Sequence, residues 1–125
     1  MAKVLGIGGV FFKAADPKAV QDWYARVLGF DISDWGGAMW RHPAGGMTNW
    51  SVFPASSEYL DPSTSPFMIN FIVDDLAGVL ARAKAEGVEP VGEPTDDEYG
   101  RFGWLMDPAG VKIELWQPPE PPQAT

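Results

Sequence analysis

The chain has 125 residues, 46% apolar and 13% aromatic with six tryptophans, which is enough to bury a real core as one compact domain. A formal net charge of -8 leaves no basic patch for a phosphate backbone or an anionic lipid surface, so neither nucleic acid nor membrane is an expected partner. The absence of cysteine rules out disulfides, thiolate metal ligands and a cysteine nucleophile.

The opening MAKVLGIGGVFF is too short and too broken by glycine for a secretory leader or a membrane span, so a cytoplasmic location is expected. Residues 4–12 read as a strand. Asp16 then stands as an N-cap before Pro17, and Val20, Trp23, Tyr24 and Val27 follow at the spacing of one apolar helical face, closed by Gly29. Short strands are predicted over 30–35 (FDISDW), 38–41 (AMWR) and 49–53 (NWSVF), with the turn HPAGG at 42–46.

The second half runs in the same order. FMINFIV at 67–73 is a strand, Asp74 and Asp75 are cap candidates, and Leu76, Val79, Leu80 and Ala83 mark a helix face that Gly87 ends. Strands follow at 88–91 (VEPV), 101–106 (RFGWLM) and 111–117 (VKIELWQ), the last two joined by DPAG. Phe12 aligns with Phe71, Asp16 with Asp75 and Val20 with Val79 at a constant offset of 59, which points to an internal repeat. Each half is strand, helix, three strands, too small to cover its own sheet, so two must combine.

The expected fold is therefore α+β: two βαβββ modules in tandem, their sheets joined in a curved eight-stranded open barrel around a cleft, with the helices outside. Residues 1–118 form the single domain, with module one at 1–56, a linker at 57–66 within the linker-like stretch PASSEYLDPSTSP, and module two at 67–118. The proline-rich tail over 119–125 is expected to be disordered.

Glu114, inside the apolar VKIELW, needs a reason to be there. Taking Met106 opposite Val111 pairs Gly103 with Glu114 and Arg101 with Trp116. One face then carries Phe102, Trp104, Met106, Val111, Ile113 and Leu115 beneath the helices. The other carries Arg101, Leu105, Lys112, Glu114 and Trp116, together with Met68, Asn70 and Ile72, and faces the cleft. On this reading Glu114 is either half of an ion pair with Lys112 or Arg101 or a ligand-binding carboxylate, and Trp50 and Trp116 offer stacking surfaces.

The duplicated plan, GVFFKAADPKAVQDWY and INFIVDDL at the two strand-helix junctions, and RFGWLMDPAGVKIELWQP with its DPxGxxIEL element resemble the vicinal oxygen chelate superfamily. That group includes glyoxalase I, extradiol dioxygenases, methylmalonyl-CoA epimerase and the fosfomycin- and bleomycin-resistance proteins. The resemblance implies a cleft in which His and Glu side chains hold a divalent metal. The family's final-strand glutamate matches Glu114, whereas its other ligand positions fall on Gly9, Met68 and Trp50 or Asn49. It also implies a homodimer in which modules are sometimes exchanged.

With one ligand position matched, no cofactor is expected, and His42 reads as a turn residue rather than a ligand. The expected cleft residues are Gly9, Phe11, Trp50, Met68, Asn70, Arg101, Glu114 and Trp116. The first functional expectation is a metal-free, bleomycin-resistance-like protein binding a small aromatic or cationic molecule. The alternatives are a metal-dependent lactoylglutathione-lyase-like lyase, isomerase or dioxygenase, an enzyme using Glu114 as a general base, and an interaction protein with a vestigial cleft.

Overall fold

The computed structural model describes residues 10–41 and 47–119. Its elements in chain order are helix α1 (Pro17–Leu28), strand β1 (Met68–Ile72), helix α2 (Leu76–Ala85) and strands β2 (Thr95–Asp97), β3 (Gly100–Met106) and β4 (Lys112–Gln117). The strands form one four-stranded sheet in the order β1-β4-β3-β2, with β1 parallel to β4 and the other pairs antiparallel.

Both helices begin and end where local chemistry says they should. Asp16 accepts from the amide of Ala19, Pro17 occupies the first turn, and Gly29 closes α1 at φ 73. Asp75 accepts in the same way from the amide of Gly78 at the start of α2. Val20, Trp23, Tyr24 and Val27 bury one face of α1, and Leu76 and Ala83 do so on α2. They pack with Leu105, Ile113 and Leu115 of the sheet into one core. The Arg82 guanidinium of α2 donates to the carbonyl of Arg26, at the free C-terminal end of α1, over 3.1 Å.

The hairpin register differs from the expected one by a residue. Met106 pairs with Lys112, Trp104 with Glu114, Gly103 with Leu115 and Arg101 with Gln117. The turn is the cause. The amide of Asp107 donates to the carbonyl of Val111 at 2.9 Å and Gly110 stands at φ 83, so the loop holds three residues, the last of them left-handed. Every β3 side chain therefore changes face relative to the expectation, while those of β4 and β1 keep theirs. Leu105 goes beneath the helices and is fully buried, Gly103 meets Leu76 and Leu80 there, and Trp104 goes to the opposite face.

The strand expected at 88–91 is replaced by β2. Pro90 has no amide to give a ladder, and Val91 makes a single bond to the carbonyl of Trp104 before Gly92 at φ 71 turns the chain. In the first half, residues 30–35, 38–41 and 49–53 join no ladder. The run expected to be a strand up to Trp35 instead bends into a tight turn in which the Ser33 amide donates to the carbonyl of Gly37 at 2.8 Å. Of the strand expected at 4–12, residues 10–12 are irregular and the rest lie outside the described residues, as does the turn at 42–46 with His42. The first half docks instead through aromatic rings, Phe30 lying edge-on to both Trp40 and Phe71 at centroid distances of 4.9 and 5.3 Å.

Candidate functional site

The sheet face turned away from the helices is built from alternate residues of three strands. Met68, Asn70 and Ile72 come from β1, Lys112, Glu114 and Trp116 from β4, and Phe102, Trp104 and Met106 from β3. The register sets Asn70 and Trp104 on either side of Glu114. Glu114 is only 8% exposed, in an otherwise largely apolar and aromatic surface.

Three neutral donors satisfy it. The Asn70 amide donates to Oε1 at 2.8 Å and the Trp104 indole to Oε2 at 2.9 Å. The third is the Tyr59 hydroxyl, which also donates to Oε2 and comes from the crossover between the halves. Hydrogen bonds to an ionised acceptor are the stronger kind, and these make burial of the carboxylate tolerable without a cation in contact.

Lys112 lies on the same face and is also buried. Its ammonium donates to the Tyr59 carbonyl at 2.6 Å and sits 5.2 Å from the Tyr59 ring centroid and 5.7 Å from that of Trp104. Burial pulls its pKa down, and the charges of Glu114 and Asp61 oppose that pull. The Tyr59 phenol is pushed well above its ordinary range, first by burial and then by its bond to Glu114 and that carboxylate's charge.

Of the residues expected in the cleft, Met68, Asn70, Glu114 and Trp116 share this face. Arg101 does not. It lies on the helix side, exposed, with its guanidinium 3.4 Å from Asp96 on β2, so the expected pairing of Arg101 with Glu114 is replaced by the three neutral donors. Phe11 and Trp50 are 93% and 78% exposed and belong to neither helix nor sheet, and Gly9 lies outside the described residues. Sequence reasoning missed Trp104, whose signal was the glycine ending the DPAG turn, and Tyr59, which no local pattern marks.

The donor set does not fit the metal centre of the resembling family. Such a centre needs about three or four nitrogen or oxygen ligands. Asn70, Trp104 and Tyr59 all present hydrogens to Glu114, an indole N–H has no lone pair to give a metal, and Met68 offers only a soft thioether. Among the described residues no group of three or more His, Cys, Asp and Glu side chains is placed to hold an ion.

Residues 9–116 match the family model of the glyoxalase-like domain. Among solved structures, the chain is similar to TnmS3, an antibiotic binding protein from Streptomyces sp. CB03234, with 25% identity over 85% of this chain and 89% of that one and a TM-score of 0.54. A glyoxalase/bleomycin resistance protein from the same Streptomyces shares 20% identity over 83% of this chain and 93% of that one, with a TM-score of 0.52. A glyoxylase/bleomycin resistance protein/dioxygenase domain from Frankia sp. EAN1pec shares 17% over 94% of this chain and all of that one, with a TM-score of 0.59. No curated protein matches the sequence. No helix among the described residues is long and apolar enough to cross a membrane.

Proposed function

From the premise that the chain belongs to the glyoxalase-like family of the vicinal oxygen chelate superfamily, we propose that it binds a small aromatic or cationic molecule on the Glu114 face of its sheet and works by sequestration, without a metal. The observation that carries this reading is the state of Glu114, buried among aromatic rings and met by three neutral donors. A carboxylate so placed is a polar anchor in an apolar site, the arrangement that orients a small ligand. The antibiotic-binding description of the Streptomyces neighbour supports the same reading.

The proposal includes a homodimer and completion of the sheet into the eight-stranded barrel. Two observations support it: β1 is an edge strand with one side unpaired among the described residues, and Phe11, Met39, Trp50 and Val52 of the first half are exposed. Residues 1–118 are then one domain whose two modules share the cleft.

The test is calorimetric titration of the purified protein with bleomycin and with flat aromatic antibiotics, beside elemental analysis and melting curves with Ni, Zn, Mn and Fe. The expected outcome is saturable binding of at least one antibiotic, substoichiometric metal and no metal-dependent rise in melting temperature. One equivalent of metal per chain with a clear rise would overturn the metal-free reading.

A further inference from the structure

Of the three donors on Glu114, two are held by the sheet and one is not. Asn70 and Trp104 are fixed by neighbouring strands, whereas Tyr59 reaches the carboxylate from the crossover. The crossover backbone is anchored to the β3–β4 hairpin at Tyr59 and again four residues later. The Tyr59 carbonyl accepts from Lys112, and Ser63 Oγ donates to the carbonyl of Gly110 at 2.5 Å. Tyr59 as a residue is 41% exposed. The backbone can therefore stay in place while the side chain turns away.

The slot the ring occupies suits an aromatic guest. Tyr59 lies edge-on to Trp104 at 6.2 Å and 85° and to Phe53 at 5.5 Å and 71°, with the Lys112 ammonium over its face. The charges on the floor select further. Lys112 beside Glu114 repels a cationic guest and Glu114 repels an anionic one, so the pair favours a neutral group that donates a hydrogen bond.

Resting on the binding function given above, we propose that the Tyr59 phenol holds the ligand's place, and that the ligands are neutral aromatic molecules with a ring hydroxyl, which displace it and donate to Glu114 themselves. Such a guest recovers the bond that Tyr59 gives up, and Tyr59 finds water. What the guest must overcome is the fraction of time that the slot is shut, which lowers apparent affinity by that fraction.

The experiment compares 2-naphthol, 2-methoxynaphthalene and 2-naphthylmethylammonium by calorimetry and by the NMR shift of the Trp104 indole N–H, in the wild type and in Tyr59→Phe. We expect 2-naphthol to bind about tenfold more tightly than its methyl ether, the weight of one hydrogen bond to a charged acceptor. The ammonium probe should do no better than the ether. Tyr59→Phe should tighten 2-naphthol and the ether alike, by about tenfold, because both must displace the ring and only its hydrogen bond has gone, and the naphthol should keep its lead over the ether. Melting curves establish that the variant is folded.

Equal affinity for the naphthol and its ether, tightest binding of the ammonium, or weaker naphthol binding by Tyr59→Phe would each overturn the placeholder while leaving a binding site. Failure of all three probes to bind or to move the Trp104 resonance would overturn the proposal, and the binding function falls with it only where the antibiotic titration also shows no binding.

Discussion

The Tyr24 hydroxyl, on the buried face of α1, donates to Asp107 Oδ2 at 2.6 Å, across 83 residues of chain. Asp107 Oδ1 meanwhile accepts from the amides of Ala109 and Val111 at 2.8 Å each. The first half of the chain thus completes the hydrogen-bond set of the turn that sets the β3–β4 register, and so the position of Trp104 beside Glu114. Tyr24→Phe should destabilise the fold by about 1–3 kcal/mol, since it strips a partner from a buried carboxylate. Urea unfolding measures the loss, and an unchanged midpoint would mean that the bond does not couple the halves.

The same pair makes a pH prediction. Burial, helped by Asp107, pushes the Tyr24 phenol well above its ordinary 10.0, and Tyr59 moves the same way. A group whose folded pKa is raised contributes stability that is fully present below its unfolded pKa and is lost as pH climbs toward the folded one. The stability difference between wild type and Tyr24→Phe should therefore hold constant up to about pH 10 and shrink above it. Lys112, lowered by burial, has the opposite sign, its contribution rising toward pH 10.5 in both proteins, so it cancels from the difference. Urea midpoints taken between pH 8 and 11 test this, and a gap that widens with pH would contradict it.

Glu114→Gln should affect stability as well as binding. The variant amide brings hydrogens of its own toward a place where Asn70, Tyr59 and Trp104 already point theirs, so at least one donor loses its acceptor. About 1–3 kcal/mol of stability should go with it. In a double-mutant cycle with Tyr59→Phe the two changes should couple by more than about 0.5 kcal/mol. Additive effects would mean that Tyr59 and Glu114 do not act as a unit.

How much of this was legible in the sequence follows the range of the forces involved. The helix limits rest on Asp16, Pro17, Gly29 and Asp75, whose bonds span a few residues and leave a local signature. The alternation of β1 and β4 was equally local, and it put Asn70, Glu114 and Trp116 on one face. The DPAG turn holds a residue fewer than expected, because its glycine is the left-handed last residue of a three-residue loop, and that single count set Trp104 beside Glu114 and turned Arg101 to the opposite face. Tyr59 meets Glu114 from 55 residues away through a stretch of linker composition, and nothing in its neighbourhood marks the contact. The missing ladders of the first half have another origin. A strand needs a partner as well as a pattern, and none of the described segments supplies one to residues 30–35, 38–41 or 49–53.

That last point leads to a prediction about assembly. Phe11, Met39, Trp40, Trp50 and Val52 are exposed large apolar side chains in the half whose described residues join no ladder. Isolated exposed apolar residues are ordinary, but this concentration in one half, in a fold whose β1 edge is unpaired among the described residues, is the pattern expected of a surface that a second copy covers. A second copy covering it would bury on the order of 1,200–2,000 Å², the range of a stable interface. Sedimentation at micromolar concentration should therefore give twice the mass of one chain. Trp50→Asp should shift the equilibrium toward monomer or lower solubility, because it places a charge where the partner must dry the surface. The variant should also weaken ligand binding if each cleft draws on both copies. A wild type that stays monomeric, with Trp50→Asp indistinguishable from it, would show that this apolar surface has no second copy to meet.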